Sequence, residues 1–207
     1  MSKLIRVLCV DDHPLMRDGI AFALQPHNDM ELVGQATNGE EAVRLHRELR
    51  PDVTLMDLQM PGMNGLSAIE RIRADSPKAK IIVLTTNSGD VLASRALKAG
   101  VVGYLLKGML RTELIGTIRA VYEGGHRIPP EIASEVAEHI SADALSEREI
   151  EVLRSVARGN ANKVVADELN ITEETVKGHM KKILSKLGAN DRTHAVLIAM
   201  KRGFLDA

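Results

Sequence analysis

Five short apolar runs recur through the first 123 residues, each followed by an amphipathic stretch, at roughly 20–25-residue spacing. The runs are IRVLCV (5–10), MELVGQA (30–36), DVTLMD (52–57), KIIVLT (80–85) and GYLLK (103–107). Between and after them, Pro14–Gln25, Glu40–Leu49, Gly65–Ala74, Asp90–Ala99 and Arg111–Glu123 carry helical periodicity. Strands joined through helices imply a parallel sheet covered on both faces. Runs one, three and four are nearly continuous in apolar residues, as strands buried on both sides require. The expected class is α/β and doubly wound.

After Glu123 the pattern changes. Gly124, Gly125, Pro129 and Pro130 break the regularity, and only helical periodicity follows. The stretch EIASEVAEHISADA (131–144) reads as a linker with a weak helix in it. Four helices are expected beyond it: Glu147–Arg158, Asn162–Leu169, Glu173–Leu187 and Arg192–Arg202. Ser146 with Glu149 matches a capping box, Thr172 suits an N-cap, and Gly159, Gly188 and Gly203 close three helices. The expected organisation is a domain over 1–123, a linker over 124–143 and an all-α domain over 144–207.

Composition narrows the classes. At 44% hydrophobic and 27% charged residues, the chain has a globular balance and is far from a disordered one. No apolar run approaches the roughly 20 residues that span a bilayer. The start, MSKLIRVLCVDD, lacks the architecture of a secretory signal, so a cytoplasmic protein with no membrane partner is expected. Cys9 is the only cysteine, which excludes an internal disulfide and a cysteine-built zinc site. Within IRVLCV it reads as a small buried hydrophobe. Aromatic residues at 2%, with no Trp, argue against a reader of single strands by base stacking.

Four of the five runs end in groups that can do chemistry. The first ends in Asp11 and Asp12, the third in Asp57, the fourth in Thr85 and the fifth in Lys107. Ligands of open parallel sheets sit beyond the carboxyl ends of the strands. A lone Asp at such an end is usually a turn former or a helix cap, and a lone Lys or Thr means less still. Their joint placement on four strands points instead to one site. Three converging carboxylates repel one another unless a cation sits among them. Oxygen ligands plus a loop carbonyl describe a Mg2+ site with positions open for water and a phosphate. Such an ion lets one carboxylate act as a nucleophile toward phosphorus.

The segments VLCVDDH, TLMDLQMPGMNG, IIVLTT and GYLLKG resemble, in order and spacing, the receiver domain of two-component response regulators over about residues 3–123. The resemblance implies a flavodoxin-like sheet of order 2-1-3-4-5. It implies Asp57 as phosphoacceptor, with Asp11, Asp12, Asp57 and the Gln59 carbonyl as Mg2+ ligands. Thr85 and Tyr104 would form a switch pair and Lys107 would partner the phosphate. Gly108 after Lys107, and Thr86 after Thr85, depart from the commonest pattern. Asn87 and Gln59 flank the site and bear on how long a phosphate survives.

From Glu173 to Arg202, seven basic residues stand against three acidic ones. Val176, Met180, Ile183, Leu184 and Leu187 form one apolar stripe, which leaves Lys177, Gly178, Lys181 and Lys182 elsewhere on the helix. A short helix, the turn NIT and a basic second helix have the layout of a helix-turn-helix. The stretch LSERE through TVKGH to KLGA resembles the LuxR-type output domain over about 144–205, and the two halves together resemble the NarL/FixJ family of response regulators. That implies double-stranded DNA as a partner, with Lys177 and Lys181 at the DNA and Thr175, His179 and Lys182 beside them. Gly178 stands where a side chain is common and removes one contact. The last helix is apolar all round, so a free face bearing Ala195, Val196 and Ala199 is expected to pair two copies of the chain.

The function expected is that of a transcription factor, not an enzyme, switched by a partner histidine kinase. One alternative is a receiver that only docks and is never phosphorylated. Another, an aspartyl-phosphate phosphohydrolase, would want an acid two residues after Asp57, where Gln59 stands.

Overall fold

The computed structural model describes residues 4–86, 90–130, 132–134 and 145–205. They belong to two compact units. In the first, five strands, β1 (Ile5–Val10), β2 (Met30–Ala36), β3 (Val53–Asp57), β4 (Ile81–Thr85) and β5 (Gly103–Leu106), pair in parallel in the order β2-β1-β3-β4-β5. The connecting helices are α1 (Pro14–Leu24), α2 (Gly39–Leu49), α3 (Gly65–Asp75), α4 (Asp90–Lys98) and α5 (Leu110–Tyr122). The expected strands and helices are present, with ends displaced by about one residue.

The packing follows from the period of two along each strand. Val7, Cys9, Val53, Leu55, Ile82 and Leu84 cluster with Ile20 and Leu24 of α1 and Leu114, Ile118 and Val121 of α5. The alternate residues Leu8, Val10, Met56, Ile81 and Val83 are equally buried, as cover on the second face demands. Each such aliphatic side chain contributes roughly 1.5–3 kcal/mol on leaving water. Cys9 is buried as expected, and burial pushes its thiol up to about 12, followed by the effect of nearby Asp11. It is an inert core group rather than a nucleophile.

Local chemistry sets the helix starts. Asn38 and Asn64 cap α2 and α3, accepting from the Glu41 and Ser67 amides at 2.9 Å each. Gly65 opens α3 directly against β3: a Cβ there would lie 1.8 Å from the Asp57 carbonyl oxygen. Only glycine lets the chain return so closely to the end of β3.

The segment after α5 rejoins the sheet. The Tyr104 amide donates to the Arg127 carbonyl at 2.7 Å, and the Arg127 amide donates to the Val102 carbonyl at 3.0 Å. Ile132 is fully buried. Residues 124–130, 132 and 133, expected to be linker, therefore pack with the first unit. Unmet main-chain groups at the β5 edge give that segment a partner, which the Gly and Pro content did not reveal. Asn87 and residues 135–144, which hold most of the expected weak helix, lie outside the described residues.

The second unit contains α6 (Glu147–Ala157), α7 (Asn162–Leu169), α8 (Glu173–Leu187) and α9 (Arg192–Arg202). Its core joins Val152 and Leu153 of α6, Val165 of α7, the α8 stripe Val176, Met180, Ile183 and Leu187, and Ala195 and Ala199 of α9. Ser146 and Glu149 form the expected capping box. Asn170 ends α7 with φ +56°, and Thr172 caps α8 by accepting from the Thr175 amide at 3.1 Å. Gly178 lies in mid-α8, where an added Cβ would meet nothing within 4 Å. Gly178→Ala is therefore expected to stabilise this unit by up to about 1 kcal/mol. A raised thermal midpoint in circular dichroism checks it.

Candidate functional site: an acidic pocket and an exposed basic helix

Sheet order reverses between β1 and β3, which opens a crevice at their carboxyl ends. Register decides what lines it. Val10 pairs with Met56, so Asp11 and Asp57 follow side by side. Asp57 pairs with Leu84 and Thr85 with Leu106, which brings Thr85 and then Lys107 to the same edge. The expected groups on four separate strands thus meet at one place.

The Lys107 ammonium bridges two of the acids, 2.8 Å from Asp11 Oδ2 and 2.7 Å from Asp57 Oδ2. All three side chains are enclosed, at 0% exposure for Asp11, 4% for Asp57 and 7% for Lys107. Burial pushes the Asp57 carboxyl above its ordinary range; Lys107 opposes that rise and Asp11 adds to it. Burial also works against charge on Lys107, but its bonds to Asp11 and Asp57 outweigh that and raise its pKa. The amine is therefore held protonated. The Gln59 amide donates to Asp57 Oδ1 at 3.2 Å, and the Arg17 guanidinium donates to the Asp11 carbonyl at 2.7 Å.

Asp12 completes the pocket at its mouth. Three carboxylates against one ammonium leave two formal negative charges in a largely buried place. Asp11, Asp12, His13 and Asp57 each offer one ligand atom within 4.8 Å of the others. The excess charge and the carboxylate donors fit a divalent cation. Sequence reasoning missed His13; its position directly after the two acids was the available signal. Thr85 and Tyr104 are both buried. Gly108 lies in a 3-10 turn, Lys107–Met109, that leads into α5.

On α8, Thr175, Lys177, Gly178, Lys181 and Lys182 are exposed together, away from the apolar stripe. Lys177 Nζ lies 3.1 Å from Glu174 Oε2. Such an exposed pair is worth at most about 1 kcal/mol and leaves the lysine available to another anion. His179 is half-buried, with Nδ1 sealed from solvent. Lys186 is different: it reaches the buried Glu149 at 2.9 Å and serves the core.

One expectation for α9 is corrected. Ala195 and Ala199 do not form a free face; both are fully buried in the core of this unit, and Val196 packs partly against it. Residues four apart share a helix face, and that face is the one turned inward. The exposed apolar side chain of α9 is Leu197, at 61%.

The family described as "Response regulator receiver domain" matches residues 7–119, and "Bacterial regulatory proteins, luxR family" matches residues 143–199. The transcriptional regulatory protein LiaR of Bacillus subtilis is 40% identical over 204 residues, covering 95% of this chain and 97% of LiaR. The response regulator GacA of Pseudomonas aeruginosa is 37% identical over 212 residues, with 99% of each chain covered. Among solved structures, RcsB from Salmonella enterica serovar Typhimurium, bound to promoter P1flhDC in the presence of phosphomimetic BeF3-, is similar at a TM-score of 0.73. It is 27% identical, with 95% of this chain and 98% of that chain covered.

Proposed function

The chain belongs to the response regulators that join a receiver domain to a LuxR-type output domain, and on that premise we propose that a phosphoryl group on Asp57 controls DNA binding through α8. The observation that carries the reading is the buried Asp11–Lys107–Asp57 arrangement in a pocket of net negative charge at the switch point of the sheet. Residues 1–123, extended by the segment 124–130 that packs on β5, form the phosphoacceptor domain, 144–207 form the DNA-binding domain, and the chain between them carries the signal.

The Asp57 carboxylate attacks the phosphorus of a phosphohistidine on a partner kinase. The P–N bond breaks, the imidazole, already protonated on its other ring nitrogen, leaves as the neutral base, and an acyl phosphate forms on Asp57. Asp11, Asp12, Asp57 and the Gln59 carbonyl would hold Mg2+, which shields and polarises the phosphoryl oxygens when bound. Lys107 then exchanges its contact with Asp57 for a phosphoryl oxygen, and the Thr85 hydroxyl donates to another. The modification adds roughly 1.5–2 negative charges at the edge of the sheet. As Thr85 moves toward it, Tyr104 on the neighbouring strand takes up the space released. The Tyr104–Arg127 main-chain bond supports a short route from this strand to the connecting segment.

At the output end, the Lys177, Lys181 and Lys182 side chains meet DNA phosphates and base edges in the major groove, with Thr175 and His179 on phosphates. The similarity to RcsB, solved bound to promoter DNA and as dimers on DNA, supports DNA binding by this chain as a homodimer. Moving such a two-state protein from 1:99 to 99:1 takes about 5.5 kcal/mol.

The test begins by selecting duplexes from a random-sequence library with the full chain. Affinity for the selected duplex is then measured with and without phosphoramidate and Mg2+. The reading expects tighter binding with the donor. It also expects log affinity to fall against log salt by about 0.9 per phosphate contact. Lys177→Ala is expected to weaken binding about tenfold, with a slope shallower by about one if the contact is to phosphate. Unchanged affinity and slope would place the DNA-binding surface elsewhere.

A further inference from the structure

His13 stands at the mouth of the acidic pocket by construction of the backbone. Pro14 opens α1 and drives the residue before it into extended geometry, and His13 has φ −84° and ψ 114°. Its side chain makes no cap bond to α1. It turns toward the carboxylates instead. The His13 amide donates to Asp11 Oδ1 at 2.9 Å, and the ring Nδ1 lies 3.2 Å from Asp11 Oδ1 and 2.8 Å from Asp12 Oδ1.

These spacings have a simple geometric meaning. Neighbouring ligands of an octahedral cation with bonds of about 2.1 Å stand roughly 3 Å apart, and opposite ones about 4.2 Å. Nδ1 stands at neighbour spacing from each of the two oxygens. The 4.8 Å limit that encloses the ligand atoms of Asp11, Asp12, His13 and Asp57 is close to the full width of that octahedron.

We propose that His13 is a further side-chain ligand of the cation site, and that it biases the site toward Mn2+ and similar first-row ions over Mg2+. The inference rests on the cation site of the preceding section. Mg2+ is a hard ion that prefers oxygen and water. Imidazole nitrogen suits the transition metals, whose affinity for mixed nitrogen and oxygen sites rises along the series from Mn2+. Mn2+ also accepts the carboxylates already present. With Nδ1 on the ion, the ring proton resides on Nε2, and a side chain that is 69% exposed gives that N–H water as its partner.

The full chain is titrated with Mn2+, reading free ion by its electron paramagnetic resonance, and then with Mg2+ in competition. The same titrations use His13→Ala and His13→Asn. Loss of Mn2+ affinity by about tenfold or more, with Mg2+ affinity nearly unmoved, is the expected result. Pulsed resonance of the bound Mn2+ is expected to show nitrogen coupling in the wild type and none in either variant. Equal losses for both ions, or no nitrogen coupling in the wild type, would overturn the role of His13. Failure of the wild type to bind either ion would instead remove the cation site on which it rests, and Asp11→Asn, which must weaken both ions, separates the two cases.

Discussion

Asp57→Asn is expected to abolish phosphoryl uptake from phosphoramidate and Mg2+, and to leave DNA affinity indifferent to the donor. The amide lacks the anionic oxygen that attacks phosphorus, and no other residue of the pocket replaces it. Asp11 is fully enclosed and tied to Lys107, the His13 amide and the His13 ring. Asp12 sits at the rim. The fold should survive, because the Asn carbonyl oxygen still accepts from one of the two donors, the Gln59 amide or Lys107, and Lys107 keeps its contact with Asp11. Its neutrality even relieves the pocket, whose formal charge falls from two negative to one. Burial has already pushed the Asp57 carboxyl up, so its ionisation is unfavourable to the native state. The thermal midpoint of the first unit is thus expected to be at least that of the wild type. Intact-mass spectrometry reads the uptake; a phosphoryl mass increase persisting in the variant would contradict the assignment.

Lys186→Met is expected to destabilise the second unit by about 2–4 kcal/mol, because it leaves a buried carboxylate without its cation. Glu149 Oε2 accepts from the Ser146 amide at 2.7 Å and from Lys186 at 2.9 Å, at 4% exposure. Burial opposes its ionisation, but Lys186 and Ser146 together outweigh it and hold the pKa below the ordinary carboxylate range. A carboxylate with a depressed native pKa contributes stability that is present above its unfolded pKa and is lost as pH falls through the native one. The deficit of Lys186→Met is therefore expected to be full at neutral pH and to shrink on acidification through that window. Urea melts followed by far-ultraviolet circular dichroism at several pH values check both points. An equal deficit at all pH values would mean that the methylene stem, not the charge, supports the core.

Much of this was legible in the sequence, for identifiable reasons. Continuous apolar runs marked β1, β3 and β4, and the reactive residues at strand ends became a site once parallel register aligned those ends. What stayed hidden depends on contacts between distant residues or on side-chain direction. Lys186 reads as one more charge of a basic helix until Glu149, 37 residues earlier, is seen beneath it. The apolar circumference of α9 concealed which face turns inward, and Ala195 and Ala199 proved to be core while Leu197 points out. Arg127 pairs with β5 through its main chain alone, so no side-chain pattern announced it. His13 looked like a helix entry residue, and its place in the pocket follows from a ring orientation that Pro14 makes accessible.

The most direct measurement traps the modified residue chemically. The full chain is incubated with phosphoramidate, with Mg2+ or with a chelator, and any acyl phosphate is reduced with borohydride before peptide mass spectrometry. Homoserine at position 57, formed only when the divalent ion is present, is the outcome required of a pocket that recruits a cation to let Asp57 take phosphorus. Reduction product at another position, or the same yield at position 57 in chelator, would contradict it.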